Sequence, residues 1–133
     1  METLVNFSLI INEIKLLNHG ISGESFTIDP QIHRKIERVD NTKSAVTYVL
    51  EIKNTPEHPF PVDIVVNITG VFDISNLEEK DVDYFLKVQT CQILFPQIRT
   101  IVATLTSSAL MNPILLPIID AKKLFSEKTK EDT

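Results

Sequence analysis

Apolar and polar residues alternate with a period of two through most of the first two-thirds of the chain, and the period lengthens in the last third. Val5, Phe7, Leu9 and Ile11 alternate with Asn6, Ser8 and Ile10, which predicts a first strand. His19-Gly20 and Ser22-Gly23 mark bends after it. Ile32, Arg34 and Ile36 predict a second strand, closed by the turn signal Asp40-Asn41. The third is the clearest, with Val46, Tyr48, Leu50 and Ile52 on one side and Thr47, Val49, Glu51 and Lys53 on the other. A fourth follows Pro56–Pro59, with Val62, Ile64, Val66 and Ile68 set against Asp63, Val65, Asn67 and Thr69. Such alternation places one face on a core and leaves the other wetter. The short polar connection between the last two makes an antiparallel hairpin the expected pairing.

From Asp81 to Ala109 the spacing becomes helical: Leu94, Ile98, Ile101 or Val102, and Leu105 fall on one stripe. Pro96 lies inside this run, where a proline is expected to kink or break a helix. Asn112-Pro113 stops it, and the strongly apolar Ile114-Leu115-Leu116-Pro117-Ile118-Ile119 follows. Asp120 is a good N-cap for a short last helix reaching about Lys128. The polar residues from 126 to 133 read as a frayed tail.

Strands first and helices after them define an α+β class. A single domain over residues 1–133 is expected, with a four-stranded antiparallel sheet and a long and a short C-terminal helix packed on one face. The other face carries more apolar surface than a single helical layer covers, Val5, Phe7, Val49 and Val65 among it. A second copy is the expected cover, so the chain should be an oligomer.

Composition adds exclusions. The 133 residues are 43% hydrophobic and 23% charged, the mixture of a folded protein. The net charge is -5. The one dense basic stretch, His33-Arg34-Lys35 with Arg38, is interrupted by Ile36 and Glu37, which argues against nucleic acid as a partner. The N-terminus lacks the basic start of a secretory signal, and no run approaches the roughly 18 apolar residues of a membrane span. Cys91 is the only cysteine, so no intrachain disulfide forms, and the expected compartment is the cytoplasm.

No catalytic constellation emerges. His19, His33 and His58 are scattered, without HxxxH or CxxC spacing, so no metal is expected. Ser107-Ser108 lacks a nucleophile-elbow setting, and Cys91 sits among apolar residues as a small hydrophobe would. Glu78-Glu79 with Asp81 and Asp83 reads as a favourable helix start. Three glycines give no phosphate-cradling loop, and no cofactor is expected. What remains is apolar surface outside the periodic elements: Phe26, Ile28, Leu110, Met111, Leu115, Leu116, Leu124 and Phe125. Two readings stand side by side, core or subunit packing and a groove for extended, unfolded segments. A small-ligand or enzymatic domain using the sheet–helix cleft is a separate class, as is a purely structural oligomerisation domain.

The segment Ile93-Leu94-Phe95-Pro96-Gln97-Ile98-Arg99 resembles the "ILFP, two residues, Arg" signature of the SecB export chaperones. From Arg99 the chain runs without a gap to Leu124-Phe125, similar to that family's closing Leu-aromatic pair. Gly70-Val71-Phe72 resembles its Gly-Ile-Phe at the end of the fourth strand, and Val46 to Ile52 resembles its third strand. The resemblance covers most of the chain and is most specific after residue 90. Ala109 stands where the family usually has Gly, Pro117 comes one residue early, and Ala121 replaces an aromatic residue.

The resemblance implies a chaperone assembled as a dimer of dimers, a homotetramer that holds unfolded polypeptide clients without ATP. It places Phe26, Ile28, Leu116 and Phe125 in a client groove, and gives Leu94, Ile98, Val102 and Leu105 to the subunit interface. It implies docking onto the SecA motor through acids on the exposed sheet face, where Glu13 is nearest in the first strand and Asp63 the approximate counterpart in the fourth. Divergent SecB-like proteins also serve single antitoxins of toxin–antitoxin modules, which makes an antitoxin an alternative client.

Overall fold

The computed structural model describes residues 5–20, 28–57 and 59–116. Four strands form one antiparallel sheet: β1 (Phe7–Asn18), β2 (Gln31–Arg38), β3 (Lys43–Ile52) and β4 (Val62–Asp73). Their order across the sheet is β1-β4-β3-β2, so the chain passes from one edge to the other before the two central strands are laid down. A helical run follows, α1 (Glu79–Tyr84) and α2 (Thr90–Ser108), joined by a single π-helical turn over Phe85–Gln89. This is the α+β arrangement expected. The short helix from Asp120 and the tail from residue 126 lie outside the described residues.

The central strands follow their sequence pattern closely. Val46, Tyr48, Leu50 and Ile52 of β3 are buried, as are Val62, Ile64, Val66, Ile68 and Phe72 of β4. They meet Leu94, Ile98 and Val102 of α2, all fully buried. Burying one Leu or Ile side chain stabilises by about 2 kcal/mol. An exposed pair such as Lys87 with Asp83, at 3.4 Å, contributes at most about 1 kcal/mol. The sheet–helix layer therefore decides the stability. Gly70 belongs to this layer by necessity: a Cβ there would lie 2.7 Å from the Phe72 ring and 3.2 Å from Leu94. That contact explains why Gly70 and Phe72 occur together in one short motif.

β1 departs from simple alternation. Ile11 stands opposite Ile68 and Glu13 opposite Asn67, leaving Asn12 as one extra residue, a β-bulge. Before the bulge Phe7, Leu9 and Ile11 face the helix side; after it Ile14, Leu16 and Asn18 do. The strand consequently runs to Asn18, well past the Ile11 limit that alternation suggested. Phe7 lies opposite Phe72, its ring centroid 5.5 Å away. It sits on the helix side, not on the open face to which its alternation had been ascribed. Asn12 turns outward and donates from Nδ2 to Asn67 Oδ1 at 3.0 Å and Thr69 Oγ1 at 2.7 Å. Thr69 in turn shares a 2.8 Å hydrogen bond with Thr47, so a polar chain crosses the outer face from β1 to β3.

The helical run also differs from expectation. Pro96 does not interrupt α2, which continues on both sides of it. Its ring and the Gln92 carbonyl it faces lie on the exposed side, where water can satisfy the freed acceptor. The irregularity falls earlier, in the π turn. Arg34 of β2 donates from Nη1 to the Lys87 carbonyl there at 3.0 Å, and Thr90 donates to the Leu86 carbonyl at 2.7 Å. The turn is thus fastened to the sheet as well as to the helix. Glu79 and Asp81 occupy the first turn of α1, the favourable end of the helix dipole.

At the other end, Ala109 closes α2 and Leu110 adopts φ +62°. The Leu110 N–H donates to the Ser107 carbonyl and the Met111 N–H to the Thr106 carbonyl, each at 3.1 Å. This is the Schellman arrangement, with a leucine where glycine is usual.

Candidate polypeptide-binding surfaces

Beyond Met111 the chain turns back along α2. Arg99 donates from Nε to the Leu116 carbonyl at 2.9 Å, and Thr106 Oγ1 accepts the Ile114 N–H at 2.9 Å. The two bonds hold residues 114–116 extended, so that Ile114 and Leu116 are buried while Leu115 between them is 76% exposed. The Ile93–Arg99 motif is now accounted for. Leu94, Phe95 and Ile98 fill the core, and Arg99 fixes the segment that returns over it.

The expected site residues divide. Leu110 is 97% exposed and Ile28 is exposed, whereas Met111 packs partly against the core. Leu116 is buried and cannot line an open groove in this arrangement. Phe26, Leu124 and Phe125 lie outside the described residues. The interface assignment of Leu94, Ile98 and Val102 is corrected: these side chains are consumed inside the subunit, against β3 and β4. Only Leu105 of that set reaches an open surface. It joins Ile14, Thr100, Ile101, Thr104 and Ser108 around an apolar depression of about 240 Å³ between β1 and α2.

Most of the exposed apolar surface of β1 was missed. Among the described residues ten large apolar side chains are exposed, and five of them are Phe7, Ile10, Ile11, Ile14 and Leu17 of this one strand. They lie on both faces of the strand, so no single alternation signals them. A run of apolar residues continuing on both sides of Asn12-Glu13 was the available signal.

The two acids considered for docking both face outward, Glu13 opposite Asn67 and Asp63 opposite Leu17. Glu13 is exposed. Asp63 is engaged: its Oδ1 accepts the Asn54 N–H at 2.8 Å and lies 3.0 Å from His19 Nε2. The Asn54 N–H, with a smaller contribution from His19, holds the Asp63 carboxyl below the usual aspartate range against the opposing effect of partial burial. At the other edge of the outer face Glu51 lies 2.8 Å from Lys53 and 3.8 Å from His33. These two contacts border a shallow polar depression with Asp29, Gln31 and Thr55.

Cys91 is buried, and burial pushes its thiol up, away from the thiolate a nucleophile needs. Tyr48, fully buried nearby, is raised by burial as well. Among the described residues no three His, Cys, Asp or Glu side chains converge on a metal position, and no helix is long and apolar enough to cross a membrane. The exposed features are therefore an apolar sheet edge, an apolar depression beside it and projecting leucines at the helix end.

The described residues form an antiparallel sheet backed by one long helix, with exposed apolar side chains along one edge strand and a return segment held by Arg99. The family model described as "Preprotein translocase subunit SecB" matches residues 17–132, and the chain belongs to the SecB family. The protein-export protein SecB of Nitrosospira multiformis is 26% identical over 113 residues, covering 84% of this chain and 70% of that protein. The uncharacterized protein MJ0357 of Methanocaldococcus jannaschii is 25% identical over 132 residues, with 96% and 82% covered. Among solved structures, the Mycobacterium tuberculosis Rv1957 SecB-like chaperone, in complex with a peptide of the Rv1956 HigA1 antitoxin, has a TM-score of 0.71. It is 14% identical, with 86% of this chain and 90% of that one covered, and establishes the shared fold. SecB family members are chaperones, and membership supports a chaperone role.

Proposed function

We propose that this protein is a cytoplasmic, ATP-independent holdase that binds non-native polypeptides as a homo-oligomer. The carrying observation is the concentration of exposed apolar side chains on β1 and in the adjoining depression with Ile101 and Leu105. Apolar surface of this kind favours extended, unfolded chains, since their backbone can bond a strand edge while their side chains fill shallow pockets. Leu110, Leu115 and Ile28 are further exposed apolar side chains that a client could use. A dimer of dimers is the proposed assembly, with Leu105 but not Leu94, Ile98 or Val102 at its contacts.

Two client ranges fit. One is precursor proteins bound for Sec export, in which Glu13 and Asp63 on the outer face would meet the SecA motor. The other is a single antitoxin, a reading supported by the antitoxin peptide held by the Mycobacterium tuberculosis chaperone of the same fold. Aggregation of a chemically unfolded client should be suppressed at one client per oligomer, without nucleotide. No suppression at several-fold excess would remove the holdase reading and leave a ligand-binding or oligomerisation domain. Retention of purified SecA on the immobilised chaperone selects export. Selective binding of one small neighbour-encoded protein selects the antitoxin role.

A further inference from the structure

We propose that His19 and Asp63 form a proton-controlled clasp at one end of the sheet, binding the end of β1 to the 54–61 loop more tightly when His19 carries its proton. The clasp is a regulatory device in the fold and goes beyond the question of what the protein binds.

The clasp is a set of neighbouring bonds that share one carboxylate. Asp63, the second residue of β4, stands opposite Leu17 of β1, and its Oδ1 lies 3.0 Å from His19 Nε2. The same oxygen accepts the Asn54 N–H at 2.8 Å, and Asn54 Oδ1 in turn accepts the Phe60 N–H at 3.0 Å. The His19 N–H donates to the Pro61 carbonyl at 2.8 Å. Both ends of the loop and the end of β1 are thus joined through Asp63 and its neighbours. Phe60 is buried, so a loop that lifts away also loses packing. Directly after His19 the chain turns off: Gly20 adopts φ +70°, and its N–H donates to Asn18 Oδ1 at 2.8 Å.

Histidine is the side chain whose charge ordinarily changes between about pH 5 and about pH 8. With its proton, His19 meets Asp63 as an ion pair. Without it, the ring offers at most a neutral N–H, and a charge-assisted bond is about twice as strong as a neutral one. Asp63 is the constant member. The Asn54 N–H holds its carboxyl below the usual value of 3.8, so it keeps its charge while a histidine titrates. Each of the two side chains is only 28% exposed, which limits screening of the pair.

The surrounding charges do not supply the same response. Lys15 of β1 and Lys53 of β3 lie within electrostatic reach of Asp63, and a lysine stays charged through this range. Lys53 is held by Glu51 at 2.8 Å, and Glu51 is approached by His33 at 3.8 Å. That second histidine contact is longer and its imidazole more exposed, so its proton matters less. In the loop, Glu57 is exposed and His58 lies outside the described residues. Leu17, one of the exposed apolar residues of β1, faces the clasp across the ladder. Opening would therefore free one end of the proposed client surface, a consequence that rests on the holdase reading.

The test is native-state hydrogen exchange of the protein alone at about pH 5.5 and about pH 8, each amide corrected for its intrinsic rate. Protection of the His19, Asn54 and Phe60 amides should fall about threefold to tenfold at the higher pH. The Val39 and Ile74 amides, bonded to the Lys43 and Thr42 carbonyls at the far end of the sheet, should not change. His19→Gln keeps a donor that does not titrate, and should hold protection at the high-pH level at both values. Asp63→Asn, checked for folding by circular dichroism, should abolish the response as well. His33→Gln and His58→Gln should leave it intact. A parent with equal protection at both values, a response that survives His19→Gln or Asp63→Asn, or one that vanishes with His33→Gln or His58→Gln would overturn the clasp. Failure to capture an unfolded client at either pH counts against the holdase reading and not against the clasp.

Discussion

The two edges of the sheet are built on opposite plans. β2 has eight residues, and its exposed side chains are mostly charged: Lys35 pairs with Glu37, Arg38 lies 3.8 Å from Glu79, and Arg34 fastens the strand to the π turn. Charge and side-chain ties of this kind blunt a sheet edge. β1 has twelve residues, two charges and five exposed large apolar side chains. One edge is closed against further pairing and the other is left open to it. A bare apolar edge invites aggregation unless something occupies it, so the two edges differ in how much of their surface is left to be covered.

Four measurements break or sharpen this contrast. The largest effect is expected beneath both edges at once. Ile98→Ala removes a fully buried side chain from the core under the sheet, and should cost about 3 kcal/mol in denaturant unfolding. β1 and β2 amides should lose exchange protection together. Gly70→Ala follows at about 2 kcal/mol, because the new methyl meets a buried Phe72 ring that cannot move aside.

Arg34→Leu separates the edges. It strips the side-chain donor from the Lys87 carbonyl, and should cost about 1.5 kcal/mol. Protection should fall first in β2 and the π turn and remain unchanged in β1; an equal loss at both edges would show that Arg34 holds the whole sheet. The smallest effect is a gain: Leu110→Gly relieves an exposed leucine held at φ +62°, worth about 1 kcal/mol. A loss of stability instead would mean that the Leu110 side chain is in contact with something the isolated subunit does not contain.

A pH dependence belongs to the β1 end of the sheet. The Asp63 carboxyl is held below its ordinary value of 3.8, chiefly by the Asn54 N–H. A group with a depressed folded value stabilises above its unfolded one and loses that contribution as pH falls through the folded one. Asp63→Asn should therefore flatten the acid limb of the stability profile below pH 3.8, with the loss relative to the parent fully present above that pH and vanishing at the acid end. An unaltered acid limb would assign it to other carboxylates, with Asp40 and Asp73, both also lowered, as the next to test.

How much of this was legible depended on the element. β3 and β4 could be read residue by residue, because their alternation is unbroken from Val46 to Ile52 and from Val62 to Ile68. The Leu94–Ile98–Val102 stripe was equally visible, but periodicity shows that a face is buried and not by what. Assigning it to another subunit failed because the chain's own sheet covers it. Leu115 and Leu116 are chemically alike, and only the Arg99 and Thr106 bonds decide that one is buried and the other projects. The π turn has no marker in composition, since it depends on Arg34, fifty-three residues before its partner carbonyl.

Asn12 occupies the one position in β1 with no counterpart in β4, and its amide is tied to Asn67 and Thr69. Deleting it would leave every other residue of the strand in place and restore a uniform alternation. It would turn none of them over, since Ile11 would still stand opposite Ile68 and Glu13 opposite Asn67. The damaging change is to keep Asn12 and force it into the ladder: Phe7, Leu9 and Ile11 would turn to the outer face, and Ser8 and Ile10 would be driven under the helix. The bulge lets the strand carry one residue more than its partner without giving up the packing of Leu9 and of the Phe7 ring.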